Sequence, residues 1–155
     1  MIKISVSQLE RSPVILRGEE PPEFLDLPEN GQYAISSPMR YDLTVSPVSG
    51  GALLQGECRV EITGSCGRCL EVSRQEISTG KLCLLFELAD VTEELDVSED
   101  IRSEMLLALP MNFLCSDDCA GLCPVCGANR NQKKCRCHEK SSGSPAWAAL
   151  DDLKL

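Results

Sequence analysis

The chain has 155 residues, 43% of them hydrophobic, which is enough for one core. Its formal net charge of −9 excludes a generally basic, phosphate-coating protein. No apolar run approaches the roughly 18 residues that span a bilayer, and the opening Met1-Ile2-Lys3-Ile4-Ser5-Val6 alternates instead of forming the apolar segment of a secretory signal. The expectation is a cytoplasmic protein with no membrane partner.

Residues 1–95 read as an antiparallel β domain. Ile2, Ile4 and Val6 alternate and offer an edge strand, as does Val14–Leu16. The proline- and acid-rich stretch from Pro21-Pro22 to Pro28 predicts a surface loop. Tyr41, Leu43 and Val45 alternate with Arg40, Asp42, Thr44 and Ser46, the period of two that half-buries a strand. Turn chemistry at Ser49-Gly50-Gly51 leads into a second strand. That strand carries Leu54, Gly56, Cys58, Val60 and Ile62 on its apolar face and Gln55, Glu57, Arg59, Glu61 and Thr63 on the other. A weaker strand near Glu71–Ser78 is expected to turn at Thr79-Gly80 and return through Leu82, Leu84, Phe86 and Leu88. Cys58 then lies in the core, and Cys83 packs near Leu85 on the opposite face.

Residues 89–95 form an acidic connector, and residues 96–110 predict a connecting helix. Asp96 and Glu99 have capping-box spacing, with Ser98 as the alternative cap. Val97, Ile101, Met105, Ala108 and Leu109 fall on one stripe, and Pro110 ends it. Residues 111–140 are a cysteine-rich module, and residues 141–155 hold a flexible Ser141–Ser144 segment and a short tail helix at Pro145–Leu150, with Trp147 as its docking anchor. The fold class is α+β, mostly β: a curled antiparallel sheet or small barrel, one helix, and a C-terminal zinc-binding module.

Ten cysteines beside a single histidine are the unusual feature. Without an export signal they point to metal rather than disulfides. Cys66 and Cys69 form one pair, and Cys115, Cys119, Cys123, Cys126, Cys135 and Cys137 crowd into residues 115–137. A Cys-x-x-Cys turn brings two thiolates to one ion, and zinc takes four ligands in a tetrahedron. Eight cysteines therefore make two four-thiolate sites and predict two zinc ions. Short loops favour Cys123, Cys126, Cys135 and Cys137 as one set, leaving Cys66, Cys69, Cys115 and Cys119 as the other. The rival arrangement groups Cys115, Cys119, Cys123 and Cys126 against Cys66, Cys69, Cys135 and Cys137. His138 could replace Cys137, although a solvated histidine beside a ligand is the simpler reading.

Full thiolate sets argue for closed, structural sites and against an enzyme. Nucleophilic cysteine chemistry needs a base, and His138 is the only imidazole. Residues 111–140 are the one basic segment, carrying Arg130, Lys133, Lys134, Arg136 and Lys140 against Asp117, Asp118 and Glu139. Arg130, Lys133, Lys134 and Arg136 either neutralise a zinc–thiolate site or contact RNA directly; no interleaved aromatics favour base stacking. Arg68, inside the first Cys-x-x-Cys, either shields the thiolates or meets a phosphate. A zinc–thiolate protein that releases metal on oxidation is the alternative class.

Three blocks carry a resemblance: Ile62-Thr63-Gly64-Ser65-Cys66-Gly67-Arg68-Cys69-Leu70, then Glu104-Met105-Leu106-Leu107-Ala108-Leu109-Pro110, then Cys115 to Cys137 around Gly121-Leu122-Cys123-Pro124-Val125-Cys126-Gly127-Ala128-Asn129. With Pro145-Ala146-Trp147-Ala148-Ala149-Leu150, the chain from about residue 40 onward resembles the bacterial and plastid YceD-like family, the large ribosomal RNA subunit accumulation proteins. The resemblance implies a role in accumulation or processing of 23S ribosomal RNA and in large-subunit assembly. The partner it implies is a large-subunit ribosomal protein or pre-ribosomal particle, and it supplies no catalytic residues. Some relatives lack the Cys123–Cys137 cluster but keep the Cys-x-x-Cys pair and ligand-type residues after the Leu-Pro block. This pattern implies Cys66, Cys69, Cys115 and Cys119 as the common site.

Overall fold

A computed structural model of the chain describes residues 1–28, 31–88, 93–133, 135 and 137. Its organising element is β5, Gly51–Ser65, whose inward side chains Ala52, Leu54, Cys58, Val60 and Ile62 are all buried. That alternation is the one its sequence predicts. On one side β5 pairs antiparallel with β4, Met39–Val48, and further along with β3, Tyr33–Ile35. On the other it pairs with β6, Val72–Ser78, and β7, Leu82–Glu87. The remaining strand, β2, Val14–Glu20, lines the outer side of β4. Among the described residues the sheet stays open, so of the two forms expected it is the open antiparallel one and not a closed barrel.

The expected reversal at Thr79-Gly80 does not occur. β6 and β7 run in one direction along β5, with Ser78 opposite Arg59 and Leu82 opposite Gly56. Three residues, Thr79 to Lys81, therefore face two, Glu57 and Cys58, which is a β-bulge. The Thr79 amide donates to the Cys58 carbonyl at 3.0 Å, the Cys58 amide donates to Thr79 Oγ1 at 3.0 Å, and Gly80 takes φ +67°. The extra residue shifts the inward parity. Ser73, Gln75 and Ile77 face in before the bulge; Leu82, Leu84 and Phe86 face in after it. Cys83 consequently lies on the outer face beside Leu85 (68% exposed), and both point to solvent instead of packing as expected.

Residues Ile2 to Val6 do not extend this sheet. β1, Lys3–Ser5, pairs with β8, Glu94–Asp96, in a separate two-stranded ribbon, and a short helix α1, Val6–Leu9, follows directly and buries Val6 and Leu9. The Pro21–Pro28 stretch is also more than a surface loop. Pro22–Leu25 forms a 3-10 turn that buries Leu25 completely, because a proline near the start presets the turn. The helix α2, Ser98–Ala108, packs against β5, β6 and this turn through Ile101 and Met105. Each such side chain, once buried, stabilises by roughly 1.5–3 kcal/mol.

The start of α2 is capped from outside the helix. Val97 holds the cap position, the Asp96 carboxylate accepts the Ser98 amide, and Ser98 Oγ accepts the Ile2 amide at 2.7 Å. The hydrogen bonds from Ser98 hold the Asp96 carboxyl below the usual carboxylate range. Neither predicted cap from Asp96–Glu99 spacing nor from Ser98 alone describes this arrangement. The tail helix expected at Pro145–Leu150 and the residues Lys134, Arg136 and His138 lie outside the described residues. No helix among those described is long and apolar enough to cross a membrane.

Candidate metal centres

The turn after β5 carries Cys66 and Cys69, and the segment after α2 carries Cys115 and Cys119. Phe113 brings them together. Its side chain is fully buried against the main core and meets Tyr33 at 6.0 Å between ring centroids. Around it, the Gly67 amide donates to the Phe113 carbonyl at 2.8 Å and the Phe113 amide donates to Gln32 Oε1 at 3.3 Å. Gln75 Nε2 donates to the Leu114 carbonyl, and Tyr33 Oη donates to the Pro110 carbonyl. The post-helix segment is thereby fixed to β3, β6 and the Cys66 turn before Cys115 is reached.

Two sets of four sulfurs result, Cys66, Cys69, Cys115 and Cys119 in one and Cys123, Cys126, Cys135 and Cys137 in the other, each with all Sγ atoms within 4.8 Å. This grouping is the short-loop arrangement, and the rival one is not formed. In the first set Sγ of Cys66 lies 3.7 Å from Cys119 and Sγ of Cys69 lies 3.6 Å from Cys115. A tetrahedron with metal–sulfur bonds near 2.3 Å has edges of about 3.8 Å, so the donor set fits a four-thiolate ion.

The two Cys-x-x-Cys turns share one hydrogen-bond plan. The Cys66 carbonyl accepts the Leu70 amide and the Cys66 amide donates to the Glu71 carbonyl, both at 2.9 Å. The Cys123 carbonyl accepts the Gly127 amide at 2.9 Å and the Cys123 amide donates to the Ala128 carbonyl at 2.8 Å. The fifth residue of each turn is left-handed, Leu70 at φ +62° and Gly127 at φ +70°. Glycine adopts that conformation freely, and leucine does so under strain. The described part of the second module closes on itself through the Leu122–Asn129 bridge and lies against the first set through 119–122.

Charge within each set is shared unequally. Burial pushes the Cys66 thiol up, but the amides of Cys115, Cys69 and Arg68 outweigh it and bring it down to about 6. The Asn131 side-chain amide lowers Cys119. Against these, the neighbouring Cys119 and Cys69 sulfurs push Cys115 up to about 12. The Glu71 amide draws Cys69 down, yet burial and the Cys66 sulfur raise it overall. The second set repeats the pattern: the Cys126 and Val125 amides bring Cys123 down to about 6, Cys123 raises Cys135, and Cys126 pushes Cys137 up to about 12. Adjacent thiolates cannot all ionise without a cation, so each set could give up its remaining protons to a metal ion.

Arg68 ties the first Cys-x-x-Cys turn to the post-helix segment through backbone carbonyls. Its guanidinium donates to the Asp117 and Cys119 carbonyls at 3.0 and 3.1 Å, while its own carbonyl accepts the Leu122 amide at 3.1 Å. Cys58 is fully buried, and desolvation pushes its thiol up to about 12, as befits a small core residue. Arg130 and Lys133 are exposed. Sequence reasoning passed over Asn131, whose Nδ2 donates to Cys119 Sγ at 3.3 Å, and Gln132, whose side chain meets Glu71. The Asn129-Arg130-Asn131 run is turn chemistry, and nothing in its spacing points to a sulfur.

Residues 86–154 match the model of the family described as large ribosomal RNA subunit accumulation protein YceD. Residues 86–154 are YceD-like; they contain the second and third of the three motif blocks, and the first, at 62–70, lies before them. An uncharacterized protein of Mycobacterium tuberculosis is 32% identical over 127 residues, covering 72% of this chain and 60% of that protein. The chloroplastic large ribosomal RNA subunit accumulation protein YCED homolog 1 of Arabidopsis thaliana is 40% identical over 53 residues, 33% of this chain and 16% of that protein. Its Zea mays counterpart is 37% identical over 59 residues, 37% of this chain and 20% of that protein. The chain thus spans about 60% of the length of the mycobacterial relative. No solved structure matches it. The family match contains six of the eight set cysteines and begins after Cys66 and Cys69.

Proposed function

We propose that this YceD-like chain is a zinc-binding, non-enzymatic cytoplasmic factor that supports accumulation or processing of 23S ribosomal RNA during large-subunit assembly. One observation carries the reading: a chain whose residues 86–154 match the ribosomal RNA accumulation family builds two four-sulfur sets, each with its sulfurs within 4.8 Å, from that region and the Cys66 turn. Four thiolates per ion leave no open coordination position, which supports structural metal over catalysis. Cys66, Cys69, Cys115 and Cys119 would hold one zinc, and Cys123, Cys126, Cys135 and Cys137 the other. Each ion would replace the shared protons and fix its loops. The chain's net charge of −9 suits a basic large-subunit ribosomal protein as partner. Exposed Arg130 and Lys133 offer a direct contact to ribosomal RNA.

The test is complementation in cells depleted of the chain. Wild type is expected to restore the ratio of 23S to 16S ribosomal RNA, and a Cys66→Ser, Cys123→Ser variant to fail despite equal abundance. An unchanged ratio on depletion would refute the ribosomal role. Elemental analysis of the purified protein is expected to give two zinc and no iron. The alternative, a redox-responsive zinc–thiolate protein, draws support from the second set, where Cys126 is exposed and Cys135 and Cys137 are half-buried. Release of zinc at low peroxide, measured with a zinc indicator, favours that alternative.

A further inference from the structure

The two sets are in contact through one side chain. Asn131 sits on the loop between Cys126 and Cys135 of the second set, yet its Nδ2 donates to Cys119 Sγ of the first at 3.3 Å. The orientation of the amide is fixed independently, because Asn131 Oδ1 accepts the Ala120 amide at 2.8 Å and leaves only Nδ2 to face sulfur. The loop is held in place on both flanks. Asn129 Oδ1 accepts the Asn131 amide at 2.9 Å, the Arg130 amide donates to the Gly121 carbonyl at 2.9 Å, and Gln132 meets Glu71 beside the Cys66 turn. An ion in the second set would join 123–126 to 135–137 and so bracket the very residues that carry Asn131.

We propose that Asn131 is a positioning residue of the first metal site, and that filling the second set tightens the first by pressing the Asn131 amide onto the Cys119 sulfur. This inference rests on the metal reading above. Ligand sulfurs concentrate negative charge, and an N–H aimed at one of them stabilises the thiolate and orients it. Partners of this kind typically change metal affinity 10–100-fold. Linkage makes the coupling mutual: whatever factor the second ion adds to the first, the first adds to the second.

Asn131→Asp is the discriminating variant. It retains the oxygen that accepts the Ala120 amide, removes the N–H donor, and sets a carboxylate beside the thiolate. The full chain is loaded with zinc, and release to a chromogenic chelator is followed in time, with the first-set phase identified by its loss in Cys66→Ser. Asn131→Asp is expected to speed first-set release about tenfold. The same variant loaded with cobalt is expected to show a shifted sulfur-to-cobalt charge-transfer band, a change that a merely structural residue would not produce. A paired Cys126→Ser, Cys137→Ser variant, which disables the second set, is expected to speed first-set release by a similar factor. Two ions bound with first-set release within about twofold of wild type in Asn131→Asp would overturn the inference alone. A wild-type chain that binds no zinc overturns both it and the metal reading.

Discussion

The two cysteine sets use the same turn and the same four donors but stand in opposite relations to the fold. In the first, Cys66, Cys69 and Cys119 are buried, and the ligand pairs come from a sheet turn and a post-helix segment 46 residues apart between Cys69 and Cys115. In the second, Cys126 is exposed, and all four sulfurs come from residues 123–137. Loop-closure entropy grows as 1.5RT times the logarithm of loop length, so an ion in the first set restrains the unfolded chain by about 1.4 kcal/mol more than one closing the Cys126–Cys135 loop. The larger difference is in what surrounds the sulfurs. The core delivers the first set, with Phe113 and its hydrogen bonds placing the sulfurs; around the second, few of the described residues are buried apolar side chains that could do so. The core places the first set, whereas the second draws all four of its sulfurs from one local stretch.

The sharpest way to break that contrast is to empty each set separately. Cys66→Ser is expected to destabilise the chain by several kcal/mol, comparable to the roughly 3–5 kcal/mol lost when one partner is removed from a buried charged group. Hydrogen exchange should then rise through residues 110–119 and the start of β6. Cys123→Ser should raise exchange in 120–133 while β4 and β5 stay protected. Equal loss of protection in β4 and β5 by both variants would end the distinction.

A second test leaves every ligand in place. Phe113→Ala removes a fully buried aromatic side chain, at an expected cost of about 3–5 kcal/mol. Because that ring sets the path into Cys115, zinc competition followed by native mass spectrometry should show one ion lost early and the other retained. If both ions leave together, the first set does not depend on the core.

How far the sequence foretold these sites follows from the same contrast. The period of two in Tyr41, Leu43, Val45 and in Leu54 to Ile62 names the buried face of β4 and β5, because one side of that sheet meets the core. The grouping of cysteines was legible from loop length. The bulge at Thr79–Lys81 was not, since threonine and glycine serve a reversal and a bulge equally and only the register with β5 separates them. The β1–β8 ribbon joins residues about 90 positions apart, beyond any local pattern. Asn131 was hidden for a related reason: a polar residue in a polar loop acquires its role only when Ala120 and Cys119 come beside it.

The smallest expected effect compares the two turns at one position. Leu70 is left-handed at φ +62° and 66% exposed, whereas Gly127 holds the same place at φ +70° with nothing within 4 Å of a Cβ built on it. A left-handed non-glycine residue costs about 1–2 kcal/mol, and glycine costs roughly 0.5–1 kcal/mol in chain entropy. Leu70→Gly should therefore leave stability unchanged or raise it by up to about 1.5 kcal/mol, read as an unchanged or higher urea midpoint. Gly127→Leu meets no obstacle but carries the conformational penalty, so it should speed zinc release from the second set and leave the urea midpoint of the body where it was. A Leu70→Gly variant that loses more than about 1 kcal/mol would mean that the leucine packs at the first turn rather than straining it. The two turns would then differ in what holds them as well as in where they sit.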